Sequence, residues 1–308
     1  MKRFLTRTPS LRAVLIPVLA VAFSACGDDD PVTQAIVDDI VDIVVATADV
    51  STLEVAVVEA GLVSALQAPG PLTVFAPVNS AFDALGTDLV TALLDPDNAE
   101  LLTQILTYHV VSGVAARSSG LTDGQMVTTL QGQDVEVGVS PGTVTVNGAT
   151  VTAADVEATN GIIHLIDAVL VPEVDIVDVG VLNEFYTLVD LVRTAGLETA
   201  LRGDNGGAGF TVFAPTDAAF AALPSVPTGQ DLVDVLTYHV VGATVGSGSL
   251  SDGQVVTTLD GSRTFTVNIN GAAVSLTDGS GATVNVVATD VSATNGLVHV
   301  IDGVLLPN

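Results

Sequence analysis

Cysteine is almost missing from this chain. Its 308 residues include one, Cys26, so no disulfide can form within the chain and no cysteine-pair zinc site exists. The fold must therefore stand on its apolar core. Positive charge is nearly as scarce: eight Lys and Arg face 35 Asp and Glu, for a net charge of −27. Such a chain repels nucleic acid and anionic headgroups, which closes the basic-patch route to either partner. Long apolar runs are absent too. Ala13 to Phe23 is apolar but too short to span a bilayer, and no other segment approaches the required length. Walker and G-x-G-x-x-G signatures do not occur, nor does H-E-x-x-H. These absences leave an enzymatic reading without residues to stand on.

What is present begins with an export signal over 1–25. Lys2, Arg3, Arg7 and Arg12 precede the apolar stretch, and small residues lead into Cys26. Phe23-Ser-Ala-Cys26-Gly resembles a bacterial lipobox, with Phe23 where leucine is usual. The resemblance implies that Cys26 is lipidated and becomes the mature N-terminus. Gly27 after the cysteine, and the acidic run Asp28-Asp29-Asp30, resemble outer-membrane sorting and surface-export cues. Residues 26–34 then read as an acidic, proline-broken tether of at most about 30 Å. Removing 1–25 takes away four basic residues and no acidic one, leaving −31. That charge is spread over the chain. It fits a solvated surface adapted to salt, or else recognition of cations or basic partners.

The remainder is one unit written twice. Thr73-Val-Phe-Ala-Pro-Val-Asn-Ser-Ala-Phe-Asp-Ala-Leu85 returns as Thr211-Val-Phe-Ala-Pro-Thr-Asp-Ala-Ala-Phe-Ala-Ala-Leu223. Leu106-Thr-Tyr-His-Val-Val111 returns as 236–241, and Ala158-Thr-Asn-Gly-Ile-Ile-His-Leu-Ile-Asp-Ala-Val-Leu-Val-Pro172 returns as 293–307. The blocks keep their order while their offset varies between 129 and 138 residues, so insertions fall between them as loops would. The boundaries expected are 35–172 and 173–308. Each copy is long enough to bury roughly two thirds of its unfolded surface.

Periodicity gives the class. Helical patterns come first: 38–47, then a helix opened by a capping box at Ser51-Thr-Leu-Glu54 and stopped by Gly61, with Thr187-Leu-Val-Asp190 and Gly196 in the second copy. Asn79 and Asp217 are placed to cap the short helices carrying Phe82 and Phe220. Asp97-Asn-Ala-Glu100 opens a helix running to Tyr108. From Met126 onward the period falls to two, with an Asn147-Gly148 hairpin turn and a last long strand over 162–171. Helices followed by a strand meander argue α+β. The join Pro172-Glu-Val-Asp175 is short and not Gly/Ser-rich, so the two copies should pack together.

The ordered blocks, in both copies, resemble the fasciclin domain. That resemblance implies two tandem α+β domains, each a wedge of antiparallel-rich strands with packed helices, used for adhesion by secreted or surface-anchored proteins. It implies no enzyme and no cofactor. In animal members the stretch around the Tyr-His pair resembles an integrin-contact motif, which makes Tyr108, His109, Tyr238 and His239 candidate adhesion contacts. The competing reading is a buried helix-end anchor. His164 and His299 sit in apolar strands, where a hydrogen-bonded core histidine is the ordinary case. Arg202-Gly203-Asp204 matches an integrin-binding tripeptide in a loop expected to be exposed, but three residues carry little information. Asp95-Pro-Asp97 opens like a calcium loop and lacks its glycine and third acidic ligand, so no metal is expected.

The reading that results is a lipid-anchored cell-envelope protein, at the outer membrane or cell surface, whose partner is an envelope or extracellular protein or polysaccharide. The alternative is a small-molecule or glycan-binding or scaffolding protein using a groove between the domains.

Overall fold

The computed structural model describes residues 38–307; the signal and the whole tether, Cys26 included, lie outside them. The first copy runs α1 (Ile40–Ala46), α2 (Ser51–Glu59), α3 (Val63–Leu66), β1 (Leu72–Pro77), α4 (Asn79–Asp83), α5 (Thr87–Leu93), α6 (Ala99–Tyr108), β2 (Val110–Ser112), β3 (Gln125–Thr128), β4 (Asp134–Ser140), β5 (Thr143–Val146), β6 (Ala149–Ala158) and β7 (Gly161–Ile166). The second runs α7 (Ile176–Leu182), α8 (Tyr186–Thr194), α9 (Glu198–Leu201), β8 (Phe210–Pro215), α10 (Asp217–Ala221), α11 (Gln230–Tyr238), β9 (Val240–Val241), β10 (Val255–Thr257), β11 (Thr264–Asn270), β12 (Ala273–Thr277), β13 (Thr283–Ala293) and β14 (Gly296–Ile301).

Each copy builds one seven-stranded sheet, in the order β2-β1-β7-β6-β5-β4-β3 and β9-β8-β14-β13-β12-β11-β10. All neighbours are antiparallel except β1 with β7 and β8 with β14. The parallel pair is possible because a long connection, α4 to β6 in the first copy and α10 to β13 in the second, separates its two strands. The α+β class therefore holds, with a mixed sheet.

The first strand explains the two-sided core. All six residues of β1 are buried, and period two splits them. Leu72, Val74 and Ala76 face the helices, while Phe75 joins Tyr108, Val135, Val146, Ile166 and Leu170 inside the strand wedge. In β8, Val212 and Ala214 face the helices, and Phe213 packs with Tyr238, Phe265 and Leu276. Burying each such Val, Leu or Phe contributes about 1.5–3 kcal/mol.

The repeated Thr-Asn-Gly block is a clamp. Asn160 Oδ1 accepts the Ile40 N–H at 3.0 Å, and its Nδ2 donates to Leu66 O at 2.7 Å, tying the start of α1 to the end of α3. Asn295 does the same for Ile176 and Leu201. Glycine must follow, because a Cβ at 161 would lie 2.2 Å from Leu72 O, and one at 296 would lie 2.1 Å from Phe210 O.

Four local expectations are corrected. Ser51-Thr-Leu-Glu54 makes no capping box; Asn79 Oδ1 instead accepts the Thr52 N–H at 3.0 Å. Asp217 likewise serves the Thr187 N–H. Asn79 and Asp217 thus cap α2 and α8 rather than their own helices, and Thr216 caps α10. The apolar run 162–171 is not one strand. The β7 ladder stops at Ile166, beyond which Asp167 accepts from Thr150 and the Leu170 N–H goes to His109. The segment Asp97-Asn-Ala-Glu100 does not start α6 by itself: Asp95 caps a single tight turn over Pro96–Asn98 first.

The copies pack against each other, and one apolar cluster contains helices of both. Arg193 Nη2 donates to Asp97 O at 2.9 Å and Asn98 Oδ1 at 2.6 Å, and Gln104 Nε2 donates to Asp178 Oδ2 at 3.3 Å. Among the described residues no helix is long and apolar enough to cross a membrane.

Candidate functional site

The Tyr-His pairs close helices α6 and α11 and turn inward. Tyr108 Oη donates to Asp134 O at 2.9 Å and accepts from Asn147 Nδ2 at 2.8 Å. Tyr238 Oη donates to Thr264 O at 2.7 Å and accepts from the Gly279 N–H at 2.9 Å. Both rings are buried. His109 Nδ1 lies 2.7 Å from Ile105 O, and its Nε2 accepts the Leu170 N–H at 2.9 Å. His239 repeats this with Val235 O and the Leu305 N–H. A carbonyl can only accept, so Nδ1 carries the proton and the imidazole is neutral. Burial pushes the pKa of each down to about 4, against the pull of the backbone carbonyl. Each ring bridges the last helical turn to the strand exit, with no nitrogen left over for a ligand.

His164 and His299 use the opposite tautomer. His164 Nε2 donates to Ala116 O at 2.8 Å, while Nδ1 accepts the Asp155 N–H at 3.3 Å and the ring stacks on Phe75. His299 bonds Val245 O and the Asp290 N–H in the same way. Asp155 and Asp290, at φ 58° and 60°, sit at bulges where β6 meets β7 and β13 meets β14. Their carboxylates accept from the N–H and hydroxyl of Ser118 and Ser247. Those hydrogen bonds hold both carboxyls below the usual range.

Serine, aspartate and histidine thus meet in both copies, in an order that cannot do acyl transfer. The hydroxyl donates to the carboxylate, and no free imidazole nitrogen is available as its base. Sequence reasoning overlooked these residues, although a signal existed: Asp155-Val-Glu-Ala-Thr-Asn returns as Asp290-Val-Ser-Ala-Thr-Asn.

The tripeptide Arg202-Gly203-Asp204 is only partly available. Gly203 and Asp204 are exposed, but the Arg202 guanidinium turns into the protein. It bonds Asp175 Oδ2 at 2.7 Å, Asp178 Oδ1 at 2.9 Å and Glu198 Oε1 at 3.2 Å. The loop from Gly203 to Ala208 is exposed, as expected, and the arginine before it is held by this network. Burial of the Asp178 carboxyl raises its pKa, and the Arg202 hydrogen bond opposes that shift. The other arginines of the described residues are also paired: Arg117 with Glu157, Arg193 with Glu198, and Arg263 with Asp234 and Asp260. No group of three or more His, Cys, Asp or Glu among the described residues is placed to hold a metal ion. Cys26 lies outside them.

A groove of about 400 Å³ lies at the junction of the copies, lined by Asp88, Asp95, Asp97, Tyr186, Asp190 and Arg193 among others. It is open and polar rather than deep and apolar. The Tyr186 hydroxyl is buried there without a partner.

The profile of the Fasciclin domain matches residues 48–172 and 183–307. Protein sll1483 of Synechocystis is 46% identical over 144 residues, covering 46% of this chain and 79% of that one. The transforming growth factor-beta-induced protein ig-h3 of Sus scrofa is 32% identical over 253 residues, 79% of this chain and 36% of that one. This chain therefore spans about a third of ig-h3. The cell surface glycolipoprotein MPB83 of Mycobacterium bovis is 41% identical over 103 residues, 33% of this chain and 44% of that one. A solved FAS1 domain pair from the insect cell adhesion molecule Fasciclin I aligns over 83% of this chain and 96% of its own, at 22% identity and a TM-score of 0.37.

Proposed function

The chain belongs to the fasciclin domain family, and from that premise we propose that it is a non-enzymatic adhesion or matrix-binding protein, held at the cell envelope by a lipid on Cys26. The observation that carries this reading is how the polar chemistry is used up. The four histidines bond backbone groups, the Ser118 and Ser247 hydroxyls donate to the Asp155 and Asp290 carboxylates, and the four arginines of the described residues pair with carboxylates. What remains for a partner is acidic surface, which suits weak binding to neutral or basic matrix components. Many weak contacts on one membrane combine into avidity.

The lipid reading rests on Cys26 following small residues at the end of an export signal, and the name of MPB83 is consistent with it. A surface or outer-membrane location follows from the same cues. The test is retention of cells on matrix-coated surfaces. Deleting the protein should reduce retention, and Cys26→Ser should reduce it equally while leaving a folded, released protein. Retention unchanged by deletion would sink the adhesion reading; a mature Cys26 with no lipid by mass spectrometry would sink the anchor.

A second reading, a glycan or small-molecule site in the junction groove, is favoured by the unpartnered Tyr186 hydroxyl beside four aspartates. Such a polar wall suits a hydroxyl-rich ligand. Loss of glycan binding in Tyr186→Phe with unchanged melting would support it.

A further inference from the structure

The helical cap of the first domain is held open, and that of the second is shut. In the second domain α7 and α8 close on each other at Gly180, where a Cβ would lie 2.9 Å from Val189 Cγ2. Phe185 also lines the space beneath, and the cavity left is about 40 Å³. Counting from the shared clamp and cap, Val44 stands in the first domain where Gly180 is, Glu54 where Val189 is, and Val50 where Phe185 is. A valine and a glutamate cannot make the close Gly–Val approach, and a smaller residue replaces the phenylalanine. The corresponding cavity is about 230 Å³.

Its walls are Ile40, Val44, Leu53, Val57, Val74 and Leu106 with further aliphatics, and its polar lining side chains are Glu54 and His109. His109 has both nitrogens committed to Ile105 and Leu170, so the interior offers a ligand no hydrogen bond. Val45 and Val58, also in the lining, are 56% and 58% exposed and mark the way in. Among the described residues no cation lines the pocket, whereas Glu54 does.

We propose that this pocket of the first domain binds a hydrocarbon chain bearing an uncharged or cationic head, and that the second domain has lost the same site by helix closure. Scaling from an apolar cavity of about 150 Å³ that takes benzene, it accommodates about nine carbons. The apolar wall selects hydrocarbon, and the Glu54 carboxylate disfavours an anionic head.

The probes are n-alkanols from hexanol to dodecanol, nonylammonium and nonanoate, titrated calorimetrically into the full chain. One equivalent should bind, with affinity rising roughly fourfold per methylene up to about nine carbons and then levelling. Nonanoate should bind at least about tenfold more weakly than nonanol or nonylammonium, the factor that about 1.4 kcal/mol of repulsion produces. The combined variant V44G, V50F and E54V, which copies the second domain, should lose at least about tenfold in affinity by the same conversion. Should that variant not fold, methyl NMR of the wild type decides. Nonanol should shift the methyls of Val44, Val57 and Val74 and leave those of Val189, Val192 and Val212 in place. No saturable binding, equal binding of nonanoate, or shifts in the second domain would overturn the proposal.

Discussion

The two copies agree where strands meet and differ where helices face outward. In both wedges a tyrosine hydroxyl reaches a strand carbonyl, a histidine bridges helix end to strand exit, and an aspartate at a bulge caps a serine turn. The helical caps have diverged. Val45 is 56% exposed in the first copy, while its counterpart Val181 is 1% exposed under the other domain. Val58 is exposed, whereas its counterpart Arg193 bonds Asp97 and Asn98 across the junction. The second copy has no helix in the place of α5, only turns and prolines over 222–229. The lesson is that the wedge sets the domain, and the helical cap is where a duplicated domain acquires a neighbour or a pocket.

The strongest way to break the likeness of the wedges is to remove their tyrosines. Tyr238→Ala and Tyr108→Ala should each destabilise their own domain by about 3–5 kcal/mol, the usual cost of emptying a large buried site. Separate melting transitions read by domain-specific probes would check it. A mutant that keeps wild-type stability yet loses adhesion would instead make the pair a contact site.

Acid should act on the two wedges alike. His109 and His239 fold with pKa values near 4 against an ordinary value of 6.5, so between those pH values the unfolded chain binds more protons. Stability from this source is complete above pH 6.5 and falls as pH drops towards 4, by about 3 kcal/mol per histidine at most. Denaturant midpoints across pH 7 to 4 for the parent and for His109→Gln and His239→Gln would measure it. A parent curve flat over that range would contradict the buried, neutral imidazoles.

A smaller effect separates the caps. Arg202 has Gln67 as its counterpart and so belongs to the second copy alone. Arg202→Met leaves Asp178 buried without its cation and should cost about 2 kcal/mol, discounted for the guanidinium's partial exposure. Arg117→Met, at an exposed pair of the first copy, should stay within about 0.5 kcal/mol. Equal effects would mean that the junction network is no more than a surface pair. Smallest of all, the melting temperature should climb as NaCl rises from 0.01 to 1 M, over which the Debye length shrinks from about 30 to about 3 Å. A salt-independent value would show the carboxylates too dispersed to repel.

Several features were legible because they depend on neighbours along the chain. The hairpin at Asn147-Gly148 needs positive φ at both turn residues and has it. Gly61 and Gly196, at φ 67° and 68°, stop their helices in the left-handed conformation. The failures share a cause as well. Ser51 and Glu54 have the right spacing for a capping box, yet Asn79 arrives from 27 residues away to take the Thr52 N–H. Nor does the local sequence around Arg202 show that carboxylates of α7 and α9 take its guanidinium.

By itself, the sequence determined that one domain occurs twice, that helices precede a strand meander, and that a hairpin turns at Asn147-Gly148. Those properties follow from local conformational preference and apolar period, which need no knowledge of what lies across the fold. Only the tertiary structure decided that β1 lies parallel to β7, that Asn79 caps a helix other than its own, and that Val44 and Gly180 separate an open cap from a closed one. Each of these depends on distances between segments far apart in the chain, where a hydrogen bond or a methyl group of another element decides what one residue can do.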